Sequence, residues 1–256
     1  MAEIEFYQAD HVAHVRLNRP HALNAINHSM NLSLREIWRE VDNDDDIWVV
    51  VLSGEGERAF CAGADLKELD RPPSRVAIGG GITGIGGELV PLKKPLIAAV
   101  HGHVLGIGFE LAMCSDILIA ADTAQFALPE TRLGLVGESG VVHRAIRQLP
   151  YRVGLAMVIT GDRLSAEEAA RYGLANEIVQ YDRLMEASDR WVRKILSASP
   201  LAVQAAKNAA LAGLAQPLEA ALSTRFEAIE NYRSSADWNE AVAAFAERRA
   251  PQWSGR

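Results

Sequence analysis

Three glutamates, Glu110, Glu130 and Glu138, stand where a carboxylate is chemically awkward or catalytically useful. Glu110 lies in Gly108-Phe109-Glu110-Leu111-Ala112-Met113-Cys114, so a helix beginning there is apolar on nearly every side. An unpaired, ionised carboxylate costs roughly several kcal/mol in such surroundings. A place in the first helical turn returns only about 0.3–1 kcal/mol. That imbalance favours a functional reading of Glu110 over a purely structural one. Glu130 follows Leu128-Pro129, 20 residues further on, far enough for a strand pair to bring it back beside Glu110. Two carboxylates in a poorly hydrated site separate into an ionised base and a protonated acid, which is equipment for moving protons at carbon. Taken alone, Glu130 reads equally well as a turn residue after proline. Glu138, in Gly137-Glu138-Ser139-Gly140, reads first as a solvated turn residue.

Such chemistry also needs donors where negative charge develops. Gly106-Ile107-Gly108 precedes Glu110 at a helix start, where backbone N–H groups lack intrahelical acceptors and point outward. Ala62-Gly63-Ala64 sits at a second candidate helix start. Two convergent N–H groups make an oxyanion hole contributing about 3–4 kcal/mol per donor; the alternative is two ordinary glycine-bearing helix starts. Other schemes fit less well. Gly137-Glu138-Ser139-Gly140-Val141 lacks the closing glycine of a nucleophile elbow. The seven histidines form no HExxH and the two cysteines no CxxC, so no metal is expected. His101, His103 and His143 are read as structural.

The elements that must position these groups follow from apolar spacing. Residues 12–17 read as a strand, and Met30, Leu34, Ile37, Trp38 and Val41 mark a helix closed by the acidic run 42–46. Residues 47–52 form a continuous apolar strand, as expected when both faces are covered. A long loop, 53–64, leads to Asp65 and Glu68, whose spacing predicts a helix start. Residues 71–94 carry paired prolines and six glycines between 79 and 87. Gly79-Gly80-Gly81-Ile82-Thr83-Gly84 matches GxGxxG, but no strand precedes it and no acidic residue follows about 20 positions on, so a dinucleotide site is rejected in favour of a flexible flap over residues 71–90. Residues 95–100, 116–120 and 124–128 read as strands, with the Glu110 helix between the first two. This recurrence of strand, strand and helix suggests stacked turns of a spiral. Ser165 and Glu168 predict a capping box on a helix ending at Gly173. After Asp182 the chain is alanine-rich and helical, broken near Pro200, Pro217 and Ser234-Ser235, with Leu211, Leu214, Leu218, Leu222 and Phe226 in excess of what a thin helical layer buries by itself.

With 256 residues, 49% of them hydrophobic, the chain supports a full-sized core. Its net charge of −7 argues against nucleic acid as a partner. Cys61 and Cys114, both in small or apolar surroundings, suggest a reducing compartment. No run approaches the roughly 18–20 apolar residues that span a bilayer, and Met1-Ala2-Glu3 opens without a signal-like segment. A soluble, cytoplasmic protein without membrane attachment is expected.

These residues together resemble the crotonase, or enoyl-CoA hydratase/isomerase, superfamily. The resemblance rests on Asn18-Arg19-Pro20 with Ala22-Leu23-Asn24-Ala25, on residues 59–67 (AFCAGADLK), on residues 94–102 (KPLIAAVHG), and on the Glu110 and 126–134 segments. It implies an α/β fold, a spiral of ββα repeats over 1–196 with a helical trimerisation region over 197–256, assembled as a homotrimer or a dimer of trimers. It implies an acyl-CoA thioester substrate, with coenzyme A as part of the substrate and no separate cofactor. By motif position, the N–H groups of Ala64 and Ile107 hold the thioester oxygen, and Glu110 and Glu130 position a water between them. Ala22, Leu23, Ala25, Ala62, Ala64, Asp65 and Leu66 contact coenzyme A, joined by Arg248 from a neighbouring subunit. Ile107 departs from the glycine common in hydratases. An acidic residue at Glu138 resembles the dienoyl-CoA isomerases and the carnitinyl-CoA dehydratases. The implied activity is hydration of a 2-enoyl-CoA or its reverse, with a double-bond isomerase using Glu138, or a non-catalytic binding protein, as alternatives. The helix through Met30 and Val41 carries only Arg35 and Arg39 as cations, which speaks against an RNA-binding surface.

Overall fold

The computed structural model describes residues 2–68, 92–137 and 140–256. The expected flap, its GxGxxG match and Glu138 lie outside the described residues. Ten strands occur among the described residues: β1 (Ile4–Ala9), β2 (Val12–Leu17), β3 (Val49–Gly54), β4 (Ala59–Cys61), β5 (Leu96–Val100), β6 (His103–Leu105), β7 (Ile117–Ala121), β8 (Gln125–Ala127), β9 (Arg163–Ser165) and β10 (Glu177–Val179). They form a six-stranded sheet, β1-β2-β3-β5-β7-β10, and a four-stranded sheet, β4-β6-β8-β9. All neighbours are parallel except the β1–β2 hairpin and the β8–β9 pair. Each turn of chain therefore lays one longer strand in the first sheet and one short strand in the second, giving the expected α/β spiral.

The helices are α1 (His28–Asn43), α2 (Ile107–Met113), α3 (Val141–Gln148), α4 (Tyr151–Thr160), α5 (Ala166–Arg171), α6 (Leu184–Leu196), α7 (Pro200–Leu214), α8 (Leu218–Ser223), α9 (Glu227–Arg233) and α10 (Ala236–Glu247). Alternation along the central strands explains their unbroken apolar sequence. Val50, Leu52, Ala98 and Val100 face the main core with Met30, Leu34 and Trp38 of α1 and Phe109 of α2. Val49, Val51, Ile97 and Ala99 face the opposite side, covered by Leu184, Ala187 and Val192 of α6. The predicted Ser165–Glu168 capping box is present. α7, α8 and α10 begin at or next to the predicted breaks, while the break before α9 at Glu227 is not among them; Leu214, Leu222 and Phe245 in this region are 84%, 78% and 89% exposed. A buried Asp237 clasps the chain end: its carboxylate accepts from Ser199, Ser254 and the Gly255 N–H, while the Asp237 N–H donates to the Arg256 carbonyl.

Three expectations need correction. The loop expected over 53–64 contains β4, and the turn expected before the Glu110 helix contains β6. Both strands are three residues long, too short to show a two-residue period. The helix start expected at Asp65 is, over its described part, a 3-10 helical turn, Leu66–Glu68. The Glu68 carboxylate does not close a capping box there; it accepts from the His28 N–H at the start of α1, 2.9 Å away.

Asn24 ties the first turn of the spiral to the second. It is fully buried with φ +55°, its Oδ1 accepts from the Arg19 N–H, and its Nδ2 donates to the Glu55 and Ala59 carbonyls. Asn24→Ala strands three backbone groups, of which the Ala59 carbonyl is buried and the other two half-buried, and places alanine in a left-handed conformation, so it is expected to cost on the order of 2–4 kcal/mol in equilibrium urea unfolding. A loss below about 0.5 kcal/mol contradicts this account.

Candidate active site

Gly106 is the meeting point of the site. Its φ of +51° and ψ of −116° suit glycine alone, and its N–H donates to the Ala127 carbonyl of β8. A Cβ built there meets Glu130 Oε1 at 2.8 Å and the Gly63 Cα at 3.8 Å. The Glu130 carboxylate and the Gly63-Ala64 backbone thus converge on the start of α2. One residue on, Ile107 opens the helix with its N–H free of any intrahelical acceptor. Gly108 packs directly on β4, where a Cβ would lie 2.3 Å from the Cys61 carbonyl.

Ala64 presents its N–H for a different reason. Ile26 donates to the Gly63 carbonyl and accepts from the Asp65 N–H, forming a parallel bridge with Ala64. That pairing turns the Ala64 N–H away from Ile26, and it meets no acceptor among the described residues. The Arg19 guanidinium braces this segment by donating to the Asp65 carboxylate at 3.1 Å and to the Ala25 carbonyl at 2.8 Å. Ala62 donates to the Leu23 carbonyl. Ala22, Leu23, Ala25, Ala62, Ala64 and Asp65 therefore lie along one knitted pair of segments. Leu66 continues it with its side chain largely exposed. Arg248 ends α10, which packs on α7 and α9.

Glu110 sits on α2 with no exposed surface. Its Oε1 accepts from Arg144 Nη1 of α3 at 2.6 Å and from the Cys114 thiol at 3.7 Å, while Oε2 is buried without a partner. Burial pushes its carboxyl up to about 7, against the pull of the Arg144 charge. Glu130 lies in the 3-10 turn Pro129–Leu133 and is also raised by burial. It has no cationic partner among the described residues. Asn24, Arg19 and Arg144 were not singled out from spacing. Arg144 is one of two arginines on an exposed-looking helix, and nothing in its local pattern points inward.

His101 is buried, held below its ordinary range by desolvation, and stacked edge-on against Tyr181 at 5.0 Å. His103 is likewise lowered, first by burial and then by the charges of Arg163 and Arg58. Both cysteines are free; burial pushes the Cys61 thiol up to about 12 and raises Cys114 as well. No helix among the described residues is long and apolar enough to cross a membrane.

A parallel-stranded spiral whose glycine-started helix gathers one buried carboxylate, one half-buried carboxylate and two outward backbone donors is a scaffold suited to moving protons. Residues 7–256 match the family model described as enoyl-CoA hydratase/isomerase, and the chain belongs to that family, the crotonase superfamily. It is 38% identical over 250 residues to the (E)-benzylidenesuccinyl-CoA hydratase of Thauera aromatica, covering 96% of this chain and 97% of the relative. It is 39% identical over 254 residues to the carnitinyl-CoA dehydratase of Salmonella typhi, covering 96% and 95%. A solved enoyl-CoA hydratase from Mycobacterium tuberculosis superposes with a TM-score of 0.91 at 34% identity, covering 99% of each chain. A structure from Novosphingobium aromaticivorans assigned as a short chain enoyl-CoA hydratase does so with a TM-score of 0.92 at 57% identity, covering 100% and 99%.

The burial of Glu110 has a thermodynamic signature. Its carboxyl is raised from 4.5 to about 7 on folding, so its favourable contribution is complete below about pH 4.5 and is lost as pH rises through about 7. Glu110→Gln removes this dependence. The stability of the variant relative to wild type is therefore expected to increase between about pH 5 and about pH 8, by up to a few kcal/mol. Urea unfolding at the two pH values checks it, and a flat or falling difference refutes it.

Proposed function

We propose that the protein hydrates a 2-enoyl-CoA thioester, or removes water in the reverse direction, with Glu110 as base and Glu130 as acid. The carrying observation is the convergence of the Glu130 carboxylate and the Gly63-Ala64 backbone on Gly106, at the head of the helix bearing Glu110. The thioester oxygen accepts from the Ala64 and Ile107 N–H groups, which stabilise the charge it gains by about 3–4 kcal/mol each. A water between the carboxylates gives its proton to ionised Glu110 as its oxygen bonds the β-carbon. Protonated Glu130 delivers its proton to the α-carbon, and exchange with solvent resets both groups. Arg144 favours the ionised form of Glu110 against the burial that pushes its carboxyl up to about 7, and Glu130 has no cationic partner among the described residues. The relatives named as a hydratase and a dehydratase support water addition or removal as the net reaction.

Ala22, Leu23, Ala25, Ala62, Ala64, Asp65 and Leu66 are proposed to line the coenzyme A moiety, with Asp65 acting chiefly through its bond to Arg19. Glu138 is proposed as the second proton carrier should the net reaction be a double-bond isomerisation. Residues 197–256 form the oligomerisation region, supported by the exposed Leu214, Leu222 and Phe245, and would bring Arg248 to a neighbour's coenzyme A phosphates. The compartment proposed is the cytoplasm.

Glu110→Gln and Glu130→Gln are each expected to lower hydration of a short 2-enoyl-CoA by at least about 100-fold. Unchanged turnover in both variants sinks the mechanism. Oxygen-18 from labelled water is expected at the β-carbon; a rearranged product without label identifies a double-bond isomerase instead. Light scattering is expected to give a trimer or hexamer mass, and a monomer at micromolar concentration contradicts the proposed role of 197–256.

A further inference from the structure

We propose that Arg144 is a positioning residue for Glu110, fixing which carboxylate oxygen faces the reacting water and favouring its ionised form against burial. The inference rests on the reading of Glu110 as the base.

Both donors that reach Glu110 bind the same atom. Arg144 Nη1 and the Cys114 thiol converge on Oε1, leaving the carboxylate's other oxygen, Oε2, buried without a partner. A carboxylate held by one oxygen offers the other in a fixed direction, which is the arrangement a proton-accepting base needs. The pair is also asymmetric in exposure: the Glu110 side chain is fully buried, whereas that of Arg144 is 29% exposed. The cation keeps part of its hydration while its inner edge compensates a charge that has none.

Arg144 is set by the start of α3. Its N–H donates to the carbonyl of Gly140, the residue before α3, whose φ is +99°. The other groups bearing on Glu110 are few. On α2 itself there is Cys114, a buried neutral thiol. From β4, Cys61 packs on Gly108, two residues away along α2, and is also neutral. Glu130 abuts Gly106 at the helix start. β5 contributes only apolar side chains, and His103 of β6 lies among Arg58 and Arg163. Arg144 is thus the single cation paired with Glu110 among the described residues.

The test is the pH profile of kcat/KM for the full-length enzyme with a short 2-enoyl-CoA, in wild type, Arg144→Gln and Arg144→Lys, beside Glu110→Gln and Glu130→Gln. Arg144→Gln is expected to move the acid limb upward by about one unit or more, because the ionised form of Glu110 loses its cation. Arg144→Lys is expected to keep the limb near its wild-type position and KM unchanged while kcat falls by about tenfold or more, since a point charge restores ionisation without the planar orientation. An unmoved limb in Arg144→Gln, with activity reduced equally at every pH, overturns the proposal. If Arg144→Gln does not fold, Arg144→Lys decides: wild-type kinetics overturns the proposal, and a lowered kcat with unmoved limb and KM supports it. Wild-type activity in Glu110→Gln means that the base reading itself has failed. Inactivity there with an unmoved limb in Arg144→Gln means that only the present inference has.

Discussion

A carboxylate with no exposed surface and one cation is the constraint on which the rest of the site depends. Glu110 can lie inside the core only because α3 delivers Arg144 to it, and α2 can be buried on every side only because glycines let neighbouring backbone close on it. Gly108 admits β4, and Gly106 admits both the Glu130 carboxylate and Gly63. Any side chain at Gly106 would displace an acid and any at Gly108 a strand. The close packing that desolvates Glu110 and the close packing that gathers the donors are one arrangement.

The chemistry was more legible than the scaffold. Glu110 stood out because a charge among Phe109, Leu111 and Met113 has no cheap structural explanation. The outward N–H groups followed from a helix beginning at Gly106-Ile107-Gly108. The long strands were visible because burial on both faces leaves an unbroken apolar run, as in β3 and β5. The second sheet was not, since β4 and β6 are three residues each and their partners come from other turns of the spiral. β1 escaped for another reason: its hairpin to β2 turns through Asp10 and His11, both with positive φ, rather than through glycine.

Arg144 marks the limit of local reading. Its helix carries arginines at 144 and 147 in a pattern that reads as a solvated face, and only the packing of α3 on α2 turns one of them inward. Asn24 is similar. Two of its three hydrogen bonds join segments more than 30 residues apart, and no period within its own loop announces them. Residues that connect turns of the spiral are written in tertiary structure, whereas residues that fill a turn are written in sequence.

The strand order of the large sheet has a kinetic meaning. β1, β2, β3, β5, β7 and β10 lie side by side in the order in which they leave the ribosome, so each strand can add to an edge already present. Loop closure at each step spans one turn rather than the whole chain, which keeps the entropic barrier of a parallel sheet modest. The four-stranded sheet behaves differently at its end, where β9 reaches back antiparallel to β8 before β10 completes the first sheet. Were winding to follow that order, outward from the amino terminus, the buried Glu110 carboxylate would be enclosed only once α3 brings Arg144 to it.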